Sequence, residues 1–87
     1  MVVNVYYSIL DDFEIKENSI CVWSNKYDNF NHLALAKIAC AQDPNCIGIH
    51  DQTGDGNGPF QLCKYGLVTP ESSVLSCIYK KKNYEGW

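Results

Sequence analysis

Two cysteines in the stretch ACAQDPNCIGIHDQTG (residues 39–54) have the side chains and the spacing to do chemistry. Cys40 and Cys46 stand six positions apart, the first at the end of a helix-like run and the second at the start of a strand-like one. Such a pair could form a disulfide bond, ligate a metal ion or belong to a catalytic centre. The surrounding residues discriminate among these three hypotheses.

A zinc site would need two further ligands. Cys40, Cys46, His50 and Cys63 would make a Cys3His set suited to tetrahedral zinc. In common structural zinc sites the first two ligands are separated by only about two to four residues. The C-x5-C-x3-H-x12-C spacing fits none of these patterns, so we expect no metal site.

A catalytic centre would pair a cysteine nucleophile with His32 or His50 as the base. The sequence around the cysteines carries none of the local signatures typical of such enzymes. His50 ends a strand-like run and His32 opens a helix-like one, where each is an ordinary structural residue. We therefore expect no enzymatic activity and no cofactor.

The disulfide hypothesis fits the local chain best. Asp43-Pro44 ends the helix between the two cysteines, because proline cannot continue a helix and disfavours helical geometry just before itself. The turn that follows would bring the Cα atoms of Cys40 and Cys46 to the roughly 4.4–6.8 Å that a disulfide needs. A loop this short would contribute about 2 kcal/mol. The sequence predicts a Cys40–Cys46 bond.

The glycine-rich stretch DQTGDGNGP that follows has a partial likeness to a calcium loop. Asp51, Thr53 and Asp55 fall at the first, third and fifth positions of an EF-hand pattern. The twelfth position, which needs a glutamate, is Leu62. The stretch is therefore predicted to be a hairpin loop, which could still serve in recognition because glycines expose the backbone.

These residues must be positioned by a small number of elements. Alternating and β-branched patterns predict strands, and the alanine-rich apolar run predicts one helix that lies against a sheet, with Asn29 or Asn31 as its N-cap. The predicted strands are residues 2–9, 19–23, 46–50, 60–65 and 74–81, the predicted helix is 32–42, and the segments 11–18, 25–31 and 66–73 are expected to be loops or turns.

Size and charge exclude several classes of function. Eighty-seven residues are enough for one domain, spanning 1–87, and the formal charge is −3 without a single arginine. Nucleic-acid binding, which usually needs a basic face, is therefore not expected. The longest apolar stretch is interrupted by Lys37, so no membrane insertion is expected either. Five cysteines in so short a chain are typical of a secreted protein.

The order of these motifs resembles the PAN/apple domain family. The likeness lies in an alanine-rich helix ending in C-x-x-D-P-x-C-x-G, a glycine-containing loop and a strand of the type L-C-K, and it covers roughly residues 5–82. The matching residues are Cys40, Asp43, Pro44, Cys46, Gly48, Leu62, Cys63 and Lys64. The resemblance implies an α+β fold in which a single α-helix packs on a curved antiparallel β-sheet held by disulfides.

The family pattern also has implications for the other cysteines. It implies a second helical cysteine, bonded to the position of Cys63, where this chain has Ala36. Cys63 is then expected to be the odd thiol, free or intermolecular, and Ala36 is expected to lie near it. An outer bond of the family suggests Cys21–Cys77, with Cys21–Cys63 as the competing pair.

Non-catalytic recognition is the function that the resemblance implies. PAN/apple domains are extracellular modules that bind proteins or carbohydrates, so a lectin-like or adhesive role at a cell surface or in the matrix is expected. We expect ligand contacts from the loops at 25–31 and 51–59, through Trp23, Tyr27, Asp51, Asp55 and Asn57. The alternative is a structural or assembly protein that forms a homodimer through its odd cysteine, Cys63.

Overall fold

The computed structural model describes residues 12–82, which form a small α+β fold with one helix, antiparallel sheets and two disulfides. The elements are β1 (Phe13–Lys16), β2 (Ser19–Val22), β3 (Asn25–Phe30), α1 (Leu33–Gln42), β4 (Cys46–Asp51), β5 (Phe60–Lys64), β6 (Leu67–Pro70) and β7 (Cys77–Lys81). A five-stranded sheet has the strand order β1-β7-β4-β5-β3, and β2 pairs with β6 in a separate two-stranded sheet.

The five-stranded sheet is the middle of three layers. Successive side chains of a strand point to opposite faces, and in β5 both Leu62 and Cys63 are buried. Leu62 belongs to the core beneath α1, which includes Ala36 and Cys40. Cys63 belongs to a second core beneath the two-stranded sheet, with Val68 of β6. The helix and the two-stranded sheet therefore cover opposite faces.

Helix α1 packs through its smallest side chains. Ala36 and Cys40, one turn apart, are both fully buried. The Lys37 ammonium lies 5.9 Å from the ring centre of Phe13 and 5.8 Å from that of Tyr79, so its stem runs over the sheet rather than away from it. The short side chains let the helix lie close to the strands.

The ends of α1 only partly match the sequence-based expectation. The helix ends at Gln42, directly before Asp43-Pro44, as predicted. At the other end the N-cap residue is His32, in an extended conformation and without a capping side-chain hydrogen bond. The predicted caps are wrong because Asn29 belongs to β3 and Asn31 lies one residue too early.

The predicted antiparallel sheet with one helix is confirmed, and three strands were missed. The predicted elements at 19–23, 32–42, 46–50, 60–65 and 74–81 correspond to β2, α1, β4, β5 and β7, whereas the predicted strand at 2–9 lies outside the described residues. The segments expected to be loops contain β1, β3 and β6. Of these, β1 and β3 are the two edge strands of the five-stranded sheet in the described residues. Edge strands commonly carry polar and charged side chains, so their sequences resemble those of loops.

The cysteine pairing confirms one expectation and corrects another. Cys40 and Cys46 form the predicted disulfide, with Cα atoms 5.2 Å apart. The second disulfide is the competing pair, Cys21–Cys63, so the expected Cys21–Cys77 pair and the free Cys63 thiol are wrong. The reason is the face of β5: Cys63 points to the two-stranded sheet, where β2 carries Cys21, and away from Ala36 on the helix side.

Cys77 is the one free cysteine among residues 12–82, and it is buried. Its Sγ lies 3.9 Å from the carbonyl oxygen of Gly54 in the loop between β4 and β5. Burial raises the pKa of the Cys77 thiol, which favours the unreactive protonated form.

The expected homodimer through Cys63 is wrong, since the Cys63 sulfur is already bonded to Cys21 within the chain.

Candidate functional site

Two neighbouring turns at one end of the sheets present large aromatic side chains to solvent. Trp23 lies between β2 and β3 and is 83% exposed, and Tyr65 lies between β5 and β6 and is 52% exposed. Both have left-handed backbones, with φ of 57° and 63°. This conformation is uncommon for any residue but glycine and is a true outlier for bulky ones.

The two turns are held to each other by polar contacts. The Ser24 hydroxyl donates to the Tyr65 carbonyl oxygen and also lies 3.2 Å from the carbonyl oxygen of Val22. The Tyr65 amide donates to the carbonyl oxygen of Asn45 at 3.0 Å. A side chain on Gly66 would overlap the Val22 carbonyl, so the backbones touch at this point. The positions of Trp23 and Tyr65 are therefore fixed relative to each other.

A lysine extends this end of the molecule toward the helix. The Lys64 ammonium lies 5.4 Å from the ring centre of Tyr27 and 5.9 Å from that of Tyr65, within cation–π range of both. The Tyr27 hydroxyl in turn donates a short hydrogen bond to the Asp43 carboxylate, just after α1. We call Trp23, Tyr65, Lys64 and Tyr27 the aromatic surface.

Tyr27 and Asp43 shift each other's pKa. Burial, followed by the hydrogen bond to Asp43, raises the pKa of Tyr27 well above its ordinary value. The same hydrogen bond, with help from the Asn45 amide, lowers the pKa of Asp43. Both shifts follow from one contact in which the neutral phenol donates to the ionised carboxylate.

Replacing Tyr27 by phenylalanine is expected to raise the pKa of Asp43 toward its ordinary value, because the largest cause of its depression is removed. A carboxyl group whose pKa is lowered in the folded state stabilises the fold at pH values above its ordinary pKa. This stabilisation is lost as the pH falls through the lowered pKa. The stability difference between the wild type and Tyr27→Phe should therefore shrink in acid. An NMR titration of the Asp43 carboxyl carbon measures the shift. Tyr65→Phe is the matched control, and equal titration in all three proteins would contradict the contact.

The loop between β4 and β5 lies at the other end of the sheet. Asp51 is fully buried, and its carboxylate accepts hydrogen bonds from the Gly56 amide at 2.9 Å and from the Thr53 hydroxyl at 3.5 Å. The exposed Asp55 accepts from the Asn57 amide at 2.9 Å. Asp51 therefore holds the loop together from inside, and the expectation that it contacts a ligand is corrected by its burial.

The residues expected to form one ligand site are split between the two ends. In β4, Cys46 is opposite Lys64, whereas Asp51 is opposite Phe60. Five residue steps of about 3.3 Å each separate these ends by roughly 17 Å. Trp23 and Tyr27 thus lie apart from the group formed by Asp51, Asp55 and Asn57.

Tyr65 and Lys64 are the members of the aromatic surface that sequence reasoning missed. Tyr65 was expected to end a strand, and Lys64 to be only part of a strand motif. The signal that could have identified them is the similarity of two short connections, Trp23-Ser24 and Tyr65-Gly66, each with an aromatic residue directly after a strand.

Three further observations concern membrane-spanning helices, metal ligands and similarity to known proteins. Within 12–82, no helix is long and apolar enough to cross a membrane. Across the same residues, no three His, Cys, Asp or Glu side chains come close enough to hold a metal ion. Comparison with known proteins found no matching family model, no matching curated protein and no matching solved structure.

Proposed function

We propose that this protein is an extracellular, non-catalytic recognition module that binds a protein or carbohydrate partner through its aromatic surface. The observation that carries the proposal is the pair of exposed aromatic residues, Trp23 and Tyr65, on adjacent turns with left-handed backbones. The proposal concerns what these two side chains do, since the fold alone does not specify a function.

The backbone conformation of both residues is costly. A left-handed backbone costs a residue with a side chain roughly 1–2 kcal/mol, and glycine or asparagine would adopt it more readily. An exposed indole also returns almost none of the burial energy that a tryptophan gives in a core. Strain of this kind is concentrated at binding and catalytic sites, where the side chain itself is needed. A role in binding accounts for both costs at Trp23 and Tyr65.

The chemistry of the surface suits recognition by contact. Tryptophan and tyrosine are the side chains most enriched at the energetic centres of protein interfaces. Their flat faces also stack on apolar faces of sugar rings. Lys64 adds a cation beside Tyr65, and Asp43 adds an acceptor next to Tyr27. A partner with one flat or apolar face and flanking polar groups fits this set.

An extracellular location is supported by the cysteines and by the family resemblance. The two disulfides are compatible with an oxidising compartment, where small domains commonly rely on them. The resemblance of the helix and of the following two strands to PAN/apple domains points the same way, because those domains are extracellular binding modules. The resemblance does not extend to the partner of Cys63, which here is Cys21.

Replacing Trp23 or Tyr65 by alanine is expected to weaken binding by tenfold or more, as for residues at the centre of an interface. The partner would be identified by a glycan array and by a pull-down of extracellular proteins with the wild type. Each arm is then repeated with the variants. Leu35→Ala is the matched control, because Leu35 is also a large exposed apolar residue, at 53%, but lies on α1.

Full binding by Trp23→Ala and Tyr65→Ala would overturn the proposal, and so would an equal loss in Leu35→Ala. Circular dichroism of each variant distinguishes loss of contact from loss of fold. The arm that yields the partner decides between a glycan and a protein ligand.

A further inference from the structure

A concave site separate from the aromatic surface lies on the face of the five-stranded sheet that carries the two-stranded sheet. It is a groove of about 480 Å³, within the range of small-molecule sites. Its polar floor contains His50 of β4, Gln61 of β5 and Lys26 of β3, and its apolar wall contains Ile20, Val74 and Leu75. We call it the polar groove.

The floor of the polar groove follows from strand register. His50 lies opposite Gln61, and Lys26 lies opposite Cys63, which points to the same face. The side chains of Lys26, Gln61 and His50 therefore share one side of three adjacent strands. The wall residues from β2 and from the segment before β7 border them on one side.

His50 is a largely buried polar residue whose ring has no hydrogen-bond partner among the described residues. Its side chain is only 7% exposed, yet none of residues 12–82 makes a hydrogen bond with its imidazole ring. No side-chain nitrogen or oxygen in this part of the chain is both sealed from solvent and unpaired, so the unpaired ring nitrogens keep contact with solvent, and His50 lines the polar groove. Buried polar groups are normally hydrogen-bonded. The ring is therefore available to a ligand.

Lys26 is the one charged side chain among the described residues that line the polar groove. Lys26 makes no ion pair with any carboxylate of the described segment. Burial lowers the pKa of His50 and the nearby Lys26 ammonium lowers it further, against a smaller opposing effect of the Asp51 carboxylate, so the imidazole is neutral at neutral pH and offers one donor and one acceptor. The opposite side of the groove is aliphatic, and Leu75 is 76% exposed there. A ligand that is anionic at one end and apolar at the other matches these two sides of the groove.

We propose that the polar groove binds a carboxylate that carries an amide and an aliphatic side chain, as an N-acylated aliphatic amino acid does. The carboxylate pairs with Lys26, the amide bonds with Gln61 and His50, and the aliphatic group packs on Val74 and Leu75. The same chemistry occurs in a free small acid and in the last residue of a polypeptide. The proposal is separate from the aromatic surface and does not depend on it.

The test is an NMR titration of the ¹⁵N-labelled protein with N-acetyl-L-leucine. The expected result is saturable shifts at Lys26, His50, Gln61 and Leu75 at millimolar concentration. N-acetyl-L-leucinamide, which lacks the charge, should bind at least tenfold more weakly. An acetylated peptide ending in leucine distinguishes the two sources, because tighter binding than that of the single residue assigns the groove to a polypeptide terminus.

Lys26→Gln is expected to remove the preference for the acid over the amide. Lys82→Gln is the matched control, since Lys82 is exposed and is not among the residues that line the groove. Trp23→Ala should bind N-acetyl-L-leucine as the wild type does, which separates this proposal from that for the aromatic surface. Absence of shifts at these residues, or equal binding of acid and amide, would overturn the proposal. An unchanged preference in Lys26→Gln would do the same.

Discussion

Replacing Cys21 and Cys63 together by alanine should lower the free energy of unfolding by about 4 kcal/mol. The bond closes a loop with a sequence separation of 42, and the chain-entropy model gives roughly that value for such a loop. It is also the covalent link between the five-stranded and the two-stranded sheets. A domain of this size has a small core, so a loss of this magnitude removes much of its stability. Urea unfolding followed by circular dichroism measures the change.

The matched comparison is the double variant of Cys40 and Cys46. Their bond has a sequence separation of only 6, for which the same model gives about 2 kcal/mol. Removing the bond that closes the longer loop should therefore lower the free energy of unfolding by about twice as much. A smaller effect at Cys21 and Cys63 would contradict the account. Peptide mapping without reduction should recover both pairs and leave Cys77 as a thiol, and a Cys21–Cys77 peptide would refute the observed pairing.

Gly66→Ala is expected to destabilise the protein by about 3–4 kcal/mol. The residue has φ of 80°, which costs an alanine roughly 1–2 kcal/mol, and its new methyl group would overlap the Val22 carbonyl and the Ser24 hydroxyl. Both atoms lie where β2 leads into the adjoining turn. The overlap can therefore be removed only if the two turns move apart. Thermal unfolding measures the loss of stability. Because the two turns move apart in this variant, binding through Trp23 and Tyr65 should also weaken.

Gly56→Ala separates the two contributions. Gly56 has nearly the same φ, 78°, but a methyl group there would meet nothing within 4 Å. Its cost should be only about 1 kcal/mol, from the backbone alone. Equal destabilisation by Gly66→Ala and Gly56→Ala would show that the close approach of the turns has no energetic consequence.

The parts of the fold that were predictable are those whose local signals agree with their burial. The apolar run before Asp43-Pro44 predicted α1, and β4, which is buried along its whole length, has the apolar residues of a central strand. The exposed strand β3 has the sequence NKYDNF, whose asparagines and aspartate are typical of turns. It is a strand because β5 offers it hydrogen bonds, which is a tertiary effect.

Sequence reasoning favoured Cys21–Cys77 over the competing Cys21–Cys63 pair, and strand geometry explains why the competing pair forms. Leu62 faces the helix, and the residue after it must face the other way. Applied to β5, this rule would have directed Cys63 away from Ala36 and toward whatever covers the far face. The sequence did not indicate which element covers that face, because β6 has the composition of a turn and contains Pro70. A proline at the end of a two-stranded ribbon is tolerated, since the strand is an edge.

The candidate site was only half predictable for a related reason. Trp23 and Tyr27 were identified as aromatic residues near a polar segment, and both belong to the aromatic surface. Tyr65 is 42 residues from Trp23 and joins it only because β2 pairs with β6 and β3 pairs with β5. The left-handed backbones that distinguish Trp23 and Tyr65 have no signal in composition or periodicity.

The most direct test of the proposed function is to observe the Trp23 indole while the partner binds. The partner found on the array or in the pull-down is titrated into ¹⁵N-labelled protein, and the two indole N–H signals are assigned with Trp87→Phe. We expect the Trp23 signal to shift or broaden in proportion to occupancy, together with the amides of Tyr65 and Lys64. A saturating partner that leaves these signals in place, and shifts those of Asp55 and Asn57 instead, would contradict the assignment of recognition to the aromatic surface.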